Sequence, residues 1–222
     1  MGENMKFDAV FFDLDGTLVN SLLDLANSVN YILCNEGYQT HPVDAYKYFA
    51  GDGIAKMIER ALPDEHRTKE NIARLKERFL EYYSDHYADN TVAYPRLNEA
   101  VSLLKEKGIK LAVVTNKAQN MAEKVVKKVY GNIFDYILGL RDDIPPKPDP
   151  TGILMAMNEL DVVPSKCAFV GDTGMDVAGG INAGACPIGV LWGFREKDEL
   201  VKFGAKRFVS NADELISIIL SE

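Results

Sequence analysis

Three cysteines, three histidines and no long apolar run remove several functional classes at once. Cys34, Cys167 and Cys186 make an odd count with no Cys-x-x-Cys spacing. That argues against a disulfide framework or a thiolate zinc site, and for reduced thiols in a cytoplasmic protein. His41, His66 and His86 are scattered and form no His-Glu-x-x-His pattern, so they read as surface or structural residues. No segment approaches the ~20 apolar residues of a membrane span. The opening MGENMKFDAV has no long apolar stretch, so no signal peptide, no membrane partner and a soluble, cytoplasmic protein are expected. Cations are outnumbered, 25 Lys and Arg against 33 Asp and Glu, for a formal net charge of -8. Such a chain lacks the basic stripe that displaces counterions from nucleic acid, which is therefore not expected as a partner. Internal repeats and low-complexity tracts are absent too.

What the chain does have is an alternation of buried strands and amphipathic helices. Its 222 residues, 47% hydrophobic and 26% charged, can hold one large domain or a core with a smaller insert. Phe7–Phe12 is short, aromatic or β-branched, and stops abruptly at Asp13, as a buried parallel strand does where it meets polar chemistry. Similar runs occur at Lys110–Val114, Tyr136–Leu138, Cys167–Val170, Pro187–Leu191 and Arg207–Val209. Helical patterns separate most of them, at Leu97–Lys107, Gln119–Val129, Thr151–Leu160, Asp176–Ala183 and Ala212–Leu220. The expected fold is α/β, a Rossmann-like parallel sheet with helices on both faces. From Ser21 to Asp89 only helical patterns appear, with Ile72, Leu75, Phe79, Leu80 and Tyr83 forming one stripe. That predicts a helical cap at 19–93, inserted after the first strand into a core formed by 1–18 and 94–222.

Active-site groups of an open parallel sheet gather outside the carboxyl ends of its strands. Four such ends carry residues that suit one reaction. After Phe12 come Asp13, Leu14, Asp15, Gly16 and Thr17. One carboxylate there can serve as a covalent nucleophile toward phosphorus, and the other as general acid and base. Gly16 lets the backbone turn sharply and offer N–H groups to an anion. A helix cap explains one Asp at such a turn, not two. After KLAVV, Thr115 and Asn116 offer a hydroxyl and an amide to phosphoryl oxygens where the next helix opens. Lys147 lies in a proline-stiffened loop, Pro145-Pro146-Lys147-Pro148-Asp149-Pro150, and can offset charge on the nucleophile and the transferring group. After CAFV, Asp172 and Asp176 supply hard oxygen ligands suited to Mg²⁺.

The motifs DLDGTL, TN, KPDP and GDTGMD, in that order from Phe7 to about Val209, resemble those of the haloacid dehalogenase superfamily. The helical insert after the first motif is similar to the cap of the subclass that holds phosphoglycolate phosphatases and β-phosphoglucomutases. The resemblance implies Asp13 as nucleophile and metal ligand, and Asp15 as acid/base that also binds Mg²⁺ through its main-chain carbonyl. It implies Thr115 and Lys147 holding the phosphoryl group and the nucleophile, Asn116 in support, and Asp172 and Asp176 on Mg²⁺. One departure is Arg96, where related sequences place Gly in the turn entering the core.

The cap should select the substrate. Gly51-Asp52-Gly53 opens an amphipathic helix whose N–H groups, with Lys56 and Arg60 one turn apart, could attract a carboxylate. The expectation is a small phosphorylated metabolite, 2-phosphoglycolate ahead of pyrophosphate, handled by a monomer or homodimer. Pyrophosphatase, 5'-nucleotidase and β-phosphoglucomutase activities are alternatives within the superfamily. A receiver-like phosphate-binding module is the alternative outside it, and Asp15 argues against that, since a module built to keep its aspartyl phosphate has no use for an acid/base.

Overall fold

The computed structural model describes residues 7–221. The first segment is β1 (Ala9–Phe12), then a turn and the short strand β2 (Val19–Asn20). Four helices follow: α1 (Leu22–Asn35), α2 (Tyr46–Phe49), α3 (Ile54–Ala61) and α4 (Lys69–His86). After β3 (Val92–Ala93) the alternating part runs α5 (Leu97–Glu106), β4 (Lys110–Ala118), α6 (Gln119–Tyr130), β5 (Tyr136–Leu140) and α7 (Thr151–Glu159). It ends with β6 (Cys167–Gly171), α8 (Gly174–Asn182), β7 (Cys186–Val190), α9 (Lys197–Lys202), β8 (Phe208–Val209) and α10 (Ala212–Leu220).

The main sheet has the order β5-β4-β1-β6-β7-β8, and every pairing within it is parallel. β1 pairs on both edges, so its four residues are fully buried and read as an unbroken apolar run. Its side chains still alternate between two layers. Val10 and Phe12 join Leu97, Val101, Val125, Leu215 and Ile219 on one face. Ala9 and Phe11 join Ile153, Ala156 and Met157 on the other. With about 1.5–3 kcal/mol per buried large apolar side chain, these two layers fix where β1 ends, and hence where Asp13 stands.

Helices α1 to α4 enclose a separate core of Leu25, Val29, Ile32, Tyr46, Ile58, Leu75, Phe79 and Tyr83. The stripe on α4 is buried at Leu75, Phe79 and Tyr83 and half-buried at Ile72 and Leu80, and Thr68 caps the helix by accepting from the Asn71 amide. Two chain crossings join this cap to the sheet, and they pair with each other: β2 and β3 form an antiparallel ribbon, Val19 opposite Ala93 and Asn20 opposite Val92. Asp24, buried at the start of α1, accepts from the amides of Asn90 and Thr91 and from the Thr91 hydroxyl at 2.7–3.0 Å. Both strands of the ribbon are too short to carry a sequence pattern.

Arg96 has φ of 62°, the left-handed conformation that favours Gly, so the turn keeps its shape at some backbone cost. Its guanidinium pairs with Asp213 of α10 on the surface. Arg96→Gly should leave the melting temperature within about 2 °C, relief of strain offsetting chain flexibility and a weak surface pair. Arg96→Val should cost about 1–2 kcal/mol, because a β-branched residue fits that conformation worst. Thermal melts of the two variants check this; equal stability for Val and Gly would contradict it.

Candidate active site

At the carboxyl ends of β1 and β6, carboxylate oxygens of Asp13, Asp172 and Asp176 lie within 4.8 Å of one another. All three residues are buried, Asp172 completely. Lys147 reaches into the cluster and donates to Asp13 Oδ1 and Asp176 Oδ1, each at 2.7 Å, and to the Val114 carbonyl at 3.0 Å. Burial pushes the Asp13 carboxyl up to about 6; Lys147 pulls it down and Asp176 pushes it up. Asp172 is raised well above the usual range by burial and by Asp176 and Asp13. Burial alone would lower Lys147, but Asp13 and Asp176 outweigh it and raise the ammonium. Three buried carboxylates offset by one ammonium are a hard-oxygen donor set that fits a divalent cation.

The cluster is held by close backbone approach. A Cβ on Gly16 would lie 2.3 Å from Asp172 Oδ2, one on Gly171 2.2 Å from Asp176 Cβ, and one on Gly193 2.2 Å from Asp172 Cβ. Asp172 accepts from the Thr17 hydroxyl at 2.9 Å and the Phe194 amide at 2.8 Å. Asp176 forms a capping box with Thr173 at the start of α8. Gly16 corrects the sequence reading: its amide donates to the Val19 carbonyl at 2.9 Å and is not presented to an anion. Its φ of 89° and the close approach to Asp172 are what require glycine there.

Thr115 and Asn116 do not open a helix as expected. β4 continues through Ala118 with a register shift after Val114, and α6 begins at Gln119. Asn116 accepts from the Lys147 amide at 2.9 Å and so joins the two loops. A cleft enclosing about 530 Å³ of space, part of it open solvent, lies between cap and sheet. Asp13, Asp15, Thr115, Asn116 and Lys117 line it from the sheet; Gly51, Gly53, Ile54, Met57, Phe79 and Tyr83 line it from the cap. The Asn116 amide group also donates to the Gly51 carbonyl at 3.3 Å, so the cap rests on the site.

Residues 10–190 match the haloacid dehalogenase-like hydrolase family. The chain belongs to that family.

This haloacid dehalogenase-like hydrolase is an enzyme of the phosphatase kind. It is 35% identical over 223 residues to the phosphoglycolate phosphatase of Chromobacterium violaceum, covering 97% of this chain and 98% of that one. It is 31% identical over 224 residues to the phosphoglycolate phosphatase of Psychrobacter arcticus, with 97% of both covered. A crystal structure from Lactobacillus delbrueckii subsp. bulgaricus, named as a candidate phosphoglycolate phosphatase, superimposes with a TM-score of 0.92 at 30% identity, over 98% of this chain and all of that one. No described helix of the hydrolase is long and apolar enough to cross a membrane.

Lys56 is a second correction. Its ammonium lies on the exposed side of α3, 2.8 Å from Glu59, and does not line the cleft. Met57, Ile58 and Ala61 are the buried face of α3, which turns Lys56 away. Arg60 is committed to Asp52 and to the Tyr48 and Phe49 carbonyls. The cation that faces the cleft is Lys117, unread in the sequence although it directly follows Thr115-Asn116. The segment after β7 likewise carries no motif in the sequence. Trp192 donates to the Thr17 carbonyl at 2.9 Å, Gly193 packs on Asp172, Phe194 joins the cap core, and Arg195 donates to the Ala50 carbonyl at 2.8 Å. A strand end in this fold was the signal available for it.

Proposed function

We propose that the chain is a Mg²⁺-dependent phosphatase for small phosphate monoesters, with 2-phosphoglycolate the favoured substrate and Asp13 the covalent nucleophile. The observation that supports this best is Asp13 itself, at the end of the twice-paired strand β1, with the Lys147 ammonium 2.7 Å away and Asp172 and Asp176 beside it. Asp13, Asp172 and Asp176, with the main-chain carbonyl of Asp15, would hold Mg²⁺, which offsets their charge and that of the transferring phosphoryl group. An Asp13 oxygen forms a bond to phosphorus as the bond to the leaving oxygen breaks, and Asp15 gives that oxygen its proton. Asp15 then takes a proton from water, which attacks the aspartyl phosphate, frees inorganic phosphate and restores Asp13. Lys147 and Thr115 stabilise charge on the phosphoryl oxygens. On this reading residues 19–93 form a cap over this centre, and the described residues 7–18 and 94–221 form the core.

For the leaving group, the phosphoglycolate phosphatases among the relatives and the cleft at the start of α3 point the same way. Gly53 and Ile54 open that helix along the cleft, where free N–H groups favour a small carboxylate. The test is a Mg²⁺ hydrolysis panel of 2-phosphoglycolate, pyrophosphate, nucleoside monophosphates, sugar phosphates and p-nitrophenyl phosphate. kcat/KM should be highest for 2-phosphoglycolate, by about tenfold or more, the scale one good polar contact provides. Faster turnover of nucleotides, pyrophosphate or neutral sugar phosphates would overturn the substrate while leaving the core chemistry. Interconversion of sugar phosphates without phosphate release would make it a mutase.

A further inference from the structure

Asp15 is tied to the cap by a short chain of polar contacts. Its Oδ1 accepts from the Ser21 hydroxyl at 2.6 Å, and both its oxygens accept from Lys117 Nζ, at 3.1 and 3.0 Å. The same ammonium donates to the Tyr83 hydroxyl oxygen at 2.8 Å and lies 4.8 Å from the centre of that ring. Asp15 and Lys117 belong to the sheet side of the cleft, whereas Tyr83 sits on α4 of the cap, stacked on Phe79. The Lys117 side chain is 4% exposed and that of Asp15 19%. An ammonium so far from water is tolerated only while its partners stay in place. Any motion that lifted the cap would carry Tyr83 away from Lys117 and loosen the pair that orients Asp15.

We propose that Lys117 and Tyr83 are positioning residues that aim the Asp15 carboxyl at the leaving oxygen when the cap closes, so that acid catalysis is available only over a captured substrate. This rests on the reading of Asp15 as general acid. Neither residue need touch the phosphoryl group: Lys147 serves the nucleophile, and Lys117 serves the acid. The consequence is specific, because an acid matters most for a poor leaving group. An alkoxide needs its proton; p-nitrophenolate leaves well without one.

The experiment compares kcat/KM for 2-phosphoglycolate, a simple alkyl phosphate, phenyl phosphate and p-nitrophenyl phosphate in wild type, Tyr83→Phe, Lys117→Met and Asp15→Asn. Tyr83→Phe keeps the ring in the cap core and so carries the test if Lys117→Met does not fold. In both positioning variants the loss on the alkyl substrates should exceed that on p-nitrophenyl phosphate by about 10–100-fold, a large part of what a general acid supplies. The dependence of rate on leaving-group pKa should steepen accordingly. A purely structural role predicts the same loss for every ester, and that uniform pattern would overturn the proposal. A leaving-group-dependent loss in Asp15→Asn that Tyr83→Phe does not share would overturn it while sparing the acid. If Asp15→Asn itself shows no such dependence, the acid assignment falls and this inference with it.

Discussion

Asp13→Asn should fold normally and lose turnover by a factor on the order of 10⁵–10⁶, the scale seen when a covalent nucleophile is removed. Asn has nearly the same size as Asp, so the packing at the end of β1 need not change, and its amide oxygen can still accept from Lys147. It cannot attack phosphorus. Phosphate release under single-turnover conditions measures the loss, with a thermal melt to establish the fold. Activity within tenfold of wild type in a folded Asp13→Asn protein would remove the aspartyl-phosphate mechanism altogether.

Metal removal should make the protein lose stability as the pH rises, opposite to ordinary acid denaturation. The folded-state carboxyl of Asp13 is raised from 3.8 to about 6, chiefly by burial, and Asp172 is raised as well. A carboxyl that holds its proton more tightly folded than unfolded stabilises the fold below its unfolded pKa, and that stability is lost as pH climbs through the folded value. In the presence of a chelator, the melting temperature should therefore fall between about pH 4 and pH 7. Saturating Mg²⁺ should restore it, most strongly at the alkaline end, by about 2.7 kcal/mol at a hundredfold excess over Kd. An unchanged melting temperature on adding Mg²⁺ at pH 8, or a chelated protein that gains stability over this range, would remove the metal from the centre.

The position of the candidate site was legible because parallel sheets write themselves plainly. A strand paired on both edges is apolar throughout, so Phe7–Phe12 and CAFV ended visibly at Asp13 and Gly171-Asp172. Helix α10 and the helical character of the insert followed from periodicity in the same way. Spacing gives the residues of a helix face but not which face meets the rest of the protein. Lys56 was misplaced for that reason, although Met57, Ile58 and Ala61 already marked the buried side of α3. Lys117 and Tyr83 are 34 residues apart, one at the end of β4 and the other on α4, and no local pattern joins them. β2, β3 and α9 lack the length to show a period.

The stretch from Trp192 to Arg195 has a consequence for how this chain tolerates change in length. Loops at the ends of strands ordinarily accept an extra or missing residue, since few of their atoms are engaged. Here four consecutive residues each meet a different partner: the Thr17 carbonyl, the Asp172 side chain, the cap core and the Ala50 carbonyl. Adding one residue anywhere among them shifts all of those contacts out of register together. A segment without regular secondary structure is thus as fixed in length as the strand it follows, and insertions compatible with the fold belong elsewhere on the surface.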